Sequence, residues 1–311
     1  MQPLINGLHH ITALASSPQL NYDFYVKFLG LRFIKKTINF DAPNVYHLYY
    51  GNESGTPGTI MTFFPYGNIS KGRKSGGQMT YTAFSIPVNS LSFWIDRLTQ
   101  FQIPFDGPHK RFDETYLRLE DYDGTGIELV TVQDDNRAGW SGNGVPDEFA
   151  VRGFHTVTLN EFDIDKTVQL LTETMQYKLV AEDTERFRFG VNGNVSGNFI
   201  DVVFADRAIR PLQGAGTVHH VAFATQSPET QLAIREDVLS GGYNPTQIID
   251  RQYFESIYFR EPGGVLFEIA TNPPGFTVDE PLEALGKKLQ LPPWYEAQRQ
   301  AIEQVLPKIV V

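Results

Sequence analysis

Leu8-His9-His10-Ile11-Thr12-Ala13 near the start of the chain and Val218-His219-His220-Val221-Ala222-Phe223 late in it share one pattern: a pair of histidines opening an apolar run. Together they hold four of the seven histidines. A third stretch, Leu266-Phe267-Glu268-Ile269-Ala270, sets one carboxylate inside another apolar run. The residues after the first run give the architecture. A strand over His10–Ala15 leads through Ser16-Ser17-Pro18 to a helical pattern over Asn21–Leu29, in which Tyr22, Tyr25, Val26 and Leu29 share a face. Gly30 is placed to stop that helix. Strand-like runs then cover Leu31–Ile38, Tyr46–Tyr50 and Thr59–Phe64, with Gly51-Asn52-Glu53-Ser54-Gly55 as a turn. The order is β-α-β-β-β.

The same order recurs. A second unit has a strand over Met79–Ile86, a helix over Ser90–Phe101, and strands from Phe105, over Thr115–Glu120 and over Gly126–Val132. The third opens at Phe154–Leu159, has its helix over Ile164–Met175 and closes at Phe199–Phe204; the fourth opens at Val218–Ala224, has its helix near Pro228–Leu239 and closes at Val265–Thr271. The openings are roughly 65 to 75 residues apart, which marks an internal repeat. The units, at about 8–66, 79–132, 152–205 and 217–271, divide into an N-terminal half (1–132) and a C-terminal half (150–271) across the polar stretch Gln133–Glu148. Gly67–Gln78, with Lys71, Arg73 and Lys74, reads as a mobile, solvated linker. Residues 272–311 lie outside the repeat; a helix over Pro293–Leu306 is expected there, covering a surface or a mouth.

Composition narrows the function classes. Hydrophobic content is 41% and charged content 20%, as in globular proteins, and the 23 Phe and 14 Tyr suit a strand-rich fold. With no cysteine, disulfides, thiolate nucleophiles and Cys-based metal sites are excluded. A net charge of −10 without a long basic run argues against nucleic acid and anionic membranes as partners. The start shows no signal-peptide pattern and no apolar run approaches about 18 residues, so a cytoplasmic soluble protein is the expectation. Homo-oligomer formation is left open.

Four β-α-β-β-β units at this spacing resemble the vicinal oxygen chelate (glyoxalase/extradiol dioxygenase) superfamily. The resemblance implies an α+β fold of four βαβββ modules forming two incompletely closed mixed β-barrels with helices outside, and metal ligands on the inner faces. Strand alternation then sorts the candidate ligands. His219 shares a face with Val221 and Phe223, while His220 shares one with Ala222 and Ala224. Glu268 falls with Ala270, opposite Phe267 and Ile269, and His10 falls with Thr12. Bulky faces belong beneath the helices and small-residue faces around a cavity, so His10, His220 and Glu268 point inward while His219 packs. Two histidines and a carboxylate form a set that binds Fe(II) with open positions left over; Mn(II) or another divalent ion suits the same donors. Three inward ionisable groups at equivalent strand positions are costly unless they share a purpose. His155 competes with His10, because pairing the third and fourth units would assemble His155, His220 and Glu268. Glu128 stands where Glu268 does in its own unit, but no His opens that unit. Spacing does not decide between His10 and His155.

A narrower resemblance does. His9-His10-Ile11-Thr12, Asp23-Phe24-Tyr25, Lys35-Lys36-Thr37, Asn39-Phe40-Asp41 and Tyr46-His47-Leu48-Tyr49-Tyr50-Gly51 are similar to the hydroquinone-type ring-cleaving dioxygenases. The match resumes at His219-His220-Val221-Ala222-Phe223, Asp250-Arg251-Gln252-Tyr253-Phe254, Ser256-Ile257-Tyr258-Phe259-Arg260 and Leu266-Phe267-Glu268-Ile269-Ala270. It implies that His10, His220 and Glu268 are the metal ligands, so that the first and fourth units build the active barrel and His155 lies in the other. It also implies supporting catalytic roles for His9, Thr12, Arg251 and Tyr258: His9 moving a phenolic proton, Tyr258 hydrogen-bonding substrate oxygens, Arg251 holding negative charge. The implied activity is Fe(II)-dependent cleavage of a small aromatic diol with O₂. A glyoxalase-type lyase or isomerase is a rival on the same fold, but it needs a fourth protein ligand that the closing strand of the first unit does not offer. A non-catalytic binding module would need no triad. A catechol-type extradiol enzyme differs only in substrate geometry.

Overall fold

A computed structural model of the chain describes residues 3–311. Its strands fall into two eight-stranded sheets, and the chain ends build the first. That sheet runs from β14 (Ile249–Asp250) through β15 (Phe254–Arg260), β16 (Leu266–Pro274) and β13 (Val218–Thr225) to β1 (Leu8–Ala15), β4 (Ile60–Pro65), β3 (Ala42–Gly51) and β2 (Arg32–Asn39). The second comes from the middle units, in the order β10 (Lys178–Glu182), β11 (Arg186–Gly190), β12 (Phe199–Phe204), β9 (Gly153–Glu161), β5 (Gln78–Pro87), β8 (Gly126–Val132), β7 (Glu114–Glu120) and β6 (Phe105–Arg111). Each half of the sequence thus gives one module to each sheet. At both centres two opening strands pair antiparallel, β1 with β13 and β5 with β9, and each takes the closing strand of its own module as a parallel neighbour. The mixed, curled half-barrels carry their helices outside, an α+β arrangement.

Alternation explains what lies on either side of the first sheet. Ile11, Ala13, Val221, Phe223, Phe267 and Ile269 are buried in the main core, whereas Ala222 and Ala270 belong to a small inner cluster with Tyr49, Tyr253 and Phe254. Every residue of β1 is buried. The sheet twists but its period of two holds, so the small-residue face encloses a cavity.

Local differences from the sequence reading have local causes. The first helix starts at α1 (Pro18–Tyr22), where the Ser17 hydroxyl accepts from the Leu20 amide. It continues over Asp23–Phe28 as a π-helical turn with the Leu29 amide donating to the Phe24 carbonyl. The wider turn buries Phe24, Tyr25, Val26 and Phe28 together. The third helix repeats this device, α3 (Asp165–Gln169) running into Leu170–Thr174. Strands β10 and β11 escaped the sequence reading because their residues are charged and β10 is largely exposed. The segment read as a mobile linker is pinned instead: Lys71 and Arg73 form β-bridges with Ala215 and Leu212, and the Gly72 amide donates to the Ala215 carbonyl. Backbone pairing with a second connecting segment outweighs its glycine content.

Beyond β16 the chain lies along β2. The Gln290 amide donates to the Lys36 carbonyl, and Lys35, fully buried, donates to the Asp279 and Glu280 carboxylates and the Phe276 carbonyl. A 3-10 turn over Pro293–Gln298 precedes α5 (Arg299–Val305). This covers an edge that would otherwise expose unpaired backbone. Among the described residues, no helix is long and apolar enough to cross a membrane.

Candidate metal centre

His10 comes from β1, His220 from β13 and Glu268 from β16. The register sets Thr12 opposite His220, and Ala222 opposite both His10 and Glu268. Curling of the inner face closes the remaining distance. His10 Nε2 lies 3.2 Å from His220 Nε2, and Glu268 Oε2 lies 3.3 Å from the first and 3.0 Å from the second. Among the described residues this is the one group of three or more His, Cys, Asp or Glu side chains placed to hold a metal ion. All three are buried.

The geometry fits a divalent ion. Three donors on one octahedral face, each at about 2.1 Å from the centre, are about 3 Å apart, as these atoms are. Glu268 Oε2 is a buried carboxylate oxygen without a hydrogen-bond donor aligned on it, an orphan acceptor of the kind a cation satisfies. Burial opposes ionisation of Glu268, but the two imidazoles outweigh it and hold its carboxyl well below the usual range.

The surrounding groups fix these donors. The Ser256 hydroxyl donates to Glu268 Oε1 at 2.5 Å, which leaves Oε2 to face the histidines. The two histidine pairs behave alike: His9 Nδ1 lies 2.9 Å from His10 Nδ1, and His219 Nδ1 lies 2.8 Å from His220 Nδ1. With Nε2 turned to the centre, His10 and His220 must each carry their proton on Nδ1 and donate it to the preceding histidine. Burial, followed by the neighbouring imidazole, lowers the pKa of both His9 and His219 to about 3, so both are neutral acceptors. His219 therefore does not simply pack away from the site as alternation implied. Its ring turns back along the strand, holds His220 and lines the cavity. His9 sits behind His10, edge-on to Phe254.

Tyr258, opposite Glu268 on β15, presents its hydroxyl to the cavity and accepts a hydrogen bond from Arg251 Nε at 3.1 Å. Burial pushes its pKa far up, with Glu268 adding to the effect, so it remains a hydroxyl. Thr12 shares a 2.7 Å hydrogen bond with Thr62 on β4, and Thr62 in turn lies 2.8 Å from His47 Nε2. Thr12 is thus linked to the wall across from Tyr258. Thr62 pairs with Thr12 as Glu268 pairs with Ala222, each two residues past a histidine, so the first module carries a hydroxyl where the fourth carries a carboxylate.

Among the described residues, the second barrel holds no comparable group of donors. Arg111 and Arg118 donate to Glu128, Arg186 and Arg188 to Asp201, and His155 pairs with Glu114, which Arg188 also contacts. Guanidinium groups neutralise the carboxylates there, and His155 is on the opposite sheet from His220.

A cavity of about 320 Å³ opens over the triad, lined on one side by His47, Tyr49 and Phe64 and on the other by Arg251, Phe254 and Tyr258. A profile of the Glyoxalase/Bleomycin resistance protein/Dioxygenase superfamily matches residues 153–269. "Putative ring-cleaving dioxygenase MhqO" of Bacillus subtilis (strain 168) is 43% identical over 300 residues, 96% of this chain and 95% of that protein. The chain belongs to this superfamily. Chlorohydroquinone/hydroquinone 1,2-dioxygenase of Sphingobium indicum is 36% identical over 319 residues, 99% of this chain and 98% of the relative. A crystal structure of a "putative dioxygenase" from Bacillus subtilis subsp. subtilis str. 168 superposes with a TM-score of 0.95 at 41% identity, covering the whole of this chain and 99% of that one. Within this family frame, Ser256, His219, His47, Tyr49 and Asp41 are the site residues to which the sequence reading gave no function. Ser256 had a signal: it shares the inner face of β15 with Phe254 and Tyr258, directly beside the carboxylate strand.

Proposed function

We propose that the protein is an Fe(II)-dependent ring-cleaving dioxygenase that opens a hydroquinone-type aromatic diol with O₂. The observation that carries this is the buried His10–His220–Glu268 face beneath a cavity sized for a single substituted ring. The activity named for the Sphingobium indicum relative supports the choice of diol. His10, His220 and Glu268 hold the metal; Fe(II) bound there supplies open positions for a diol oxygen and O₂ and a redox link between them.

The chain's own residues do the rest. Tyr258, kept protonated by burial and by Glu268 and oriented by Arg251, donates a hydrogen bond to oxygen at the reacting ring carbon, and the Arg251 cation offsets the negative charge that builds there. His9 and His219 hold the ligand rings in one tautomer, so the donor lone pairs need no rearrangement. Phe64 and Phe254 clamp the ring and exclude water. A glyoxalase-type reaction is less favoured because Thr62 replaces the carboxylate that would be a fourth ligand.

Anaerobic Fe(II) loading followed by O₂ uptake with hydroquinone, catechol and a glutathione hemithioacetal tests the reading. Uptake with hydroquinone and ring-opened product is expected. Stoichiometric Fe(II) without uptake on any diol refutes it.

A further inference from the structure

An ion pair joins the two modules across the outer part of the cavity. Arg251, on the turn before β15, places Nη1 3.2 Å from Asp41 Oδ2, on the turn between β2 and β3. Apart from histidines, these two are the only charged side chains lining that cavity among the described residues. Both turns are held from behind. Tyr295 donates to the Phe40 carbonyl while Trp294 packs edge-on against the Phe40 ring, and the Asp41 amide donates to the Asn39 side chain. On the other side Gln252 and Tyr253 both donate to the Asp279 carboxylate. The Asp41 side chain is 77% exposed, and such a pair contributes little to stability. Its consequence is for what enters.

The charges around the site decide which ligand is accommodated. A divalent ion, Glu268, Arg251 and Asp41 sum to one positive charge, which one phenolate oxygen cancels. A carboxylate on the ring adds a second negative charge and meets Asp41, whose own charge already offsets that of Arg251.

We propose that Asp41 is a specificity-determining residue, selecting aromatic diols with uncharged ring substituents and rejecting those with a ring carboxylate. The inference rests on the diol-binding reading above. Its test is anaerobic equilibrium binding of hydroquinone and of 2,5-dihydroxybenzoate to the Fe(II)-loaded full chain, followed by quenching of protein fluorescence. In the wild type 2,5-dihydroxybenzoate binds more weakly than hydroquinone. In Asp41→Asn the ratio of the two Kd values falls about tenfold, the size of a unit-charge interaction over about 6 Å at an effective dielectric of roughly 40. Asp41→Glu, which keeps the charge, retains the wild-type ratio, and the difference between Asn and wild type shrinks in 1 M salt. An unchanged ratio in Asp41→Asn, a Glu variant that behaves like Asn, or equal wild-type affinity for both probes overturns the proposal. If hydroquinone is bound and cleaved while the ratio is unmoved, only this inference falls. If neither diol binds, it falls together with the diol reading.

Discussion

Replacing Ser256 by Ala removes one hydroxyl and leaves the triad's atoms in place, so it isolates what orientation of Glu268 is worth. The hydroxyl donates to Glu268 Oε1 at 2.5 Å, and both side chains are fully buried, so no water replaces it. A hydrogen bond to a charged group contributes about 1.5–3 kcal/mol, which is about 10- to 100-fold in an equilibrium constant. Groups that orient metal ligands independently show losses of about 10–100-fold in metal affinity. The expected result is therefore a metal Kd weakened by one to two decades, with the carboxylate free to turn Oε1 toward the ion in place of Oε2. Fe(II) or Mn(II) affinity is measured by competition with a chromogenic chelator under anaerobic conditions. Circular dichroism of the metal-free protein separates a folding defect from a binding defect. If Ser256→Ala binds metal within twofold of wild type while Glu268→Gln loses it, the carboxylate needs no such partner and the reasoning is wrong.

Other expected outcomes concern the rest of the chain. Glu268→Gln loses metal, whereas Glu128→Gln keeps it and instead loses stability in urea titrations, by up to about 3–5 kcal/mol, since buried Arg111 is left with Glu114 and the more distant Asp201 and half-buried Arg118 loses its carboxylate. Lys35→Met leaves Asp279 and Glu280 facing an uncharged side chain; a stability loss of similar size, about 3–5 kcal/mol, is expected from denaturant unfolding with metal absent. Burial, then the Glu261 carboxylate, raises the pKa of Glu161 to about 9, and neither of its oxygens has a hydrogen-bond partner. The folded state then holds a proton that the unfolded chain releases near pH 4.5, so stability falls as pH rises from there to about 9. Thermal melts from about pH 6 to 9.5 should drop in the wild type and flatten in Glu161→Gln; parallel profiles for the two would contradict the assignment.

Alternation was enough to separate the faces of β1, β13 and β16, because Ala222 and Ala270 left no bulk beside His220 and Glu268. It describes Cβ directions and nothing beyond them. The His219 imidazole starts on the opposite face and still reaches His220 Nδ1, a distance only the side-chain torsions decide. The Arg251–Asp41 pair spans 210 residues and leaves no local trace, since each is an ordinary charged turn residue by itself. In the second barrel Glu128 looks like a ligand in sequence; only three-dimensional contact shows that Arg111 and Arg118 occupy the place of a cation. The π-helical turn after Tyr22 was also illegible, because a period of 3.6 residues is assumed in any reading of helical faces.

The pairing of β1 with β13 has a consequence for how the protein is made. The middle modules are adjacent in sequence, so their sheet has all its strands once Phe204 has left the ribosome. His10 emerges first and must wait for His220, 210 residues later. At translation speeds of about 5–20 residues per second that delay is roughly 10–40 s. Through that time the nascent first module offers the long edge of β1 and a half-built cavity, and the middle sheet is completed only near the end of the wait, once Phe204 is made. The proposed donor set cannot close until synthesis has passed β16, so a metal held there would be captured at the very end of biogenesis, and a chain truncated before Leu266 would hold a folded middle and no site.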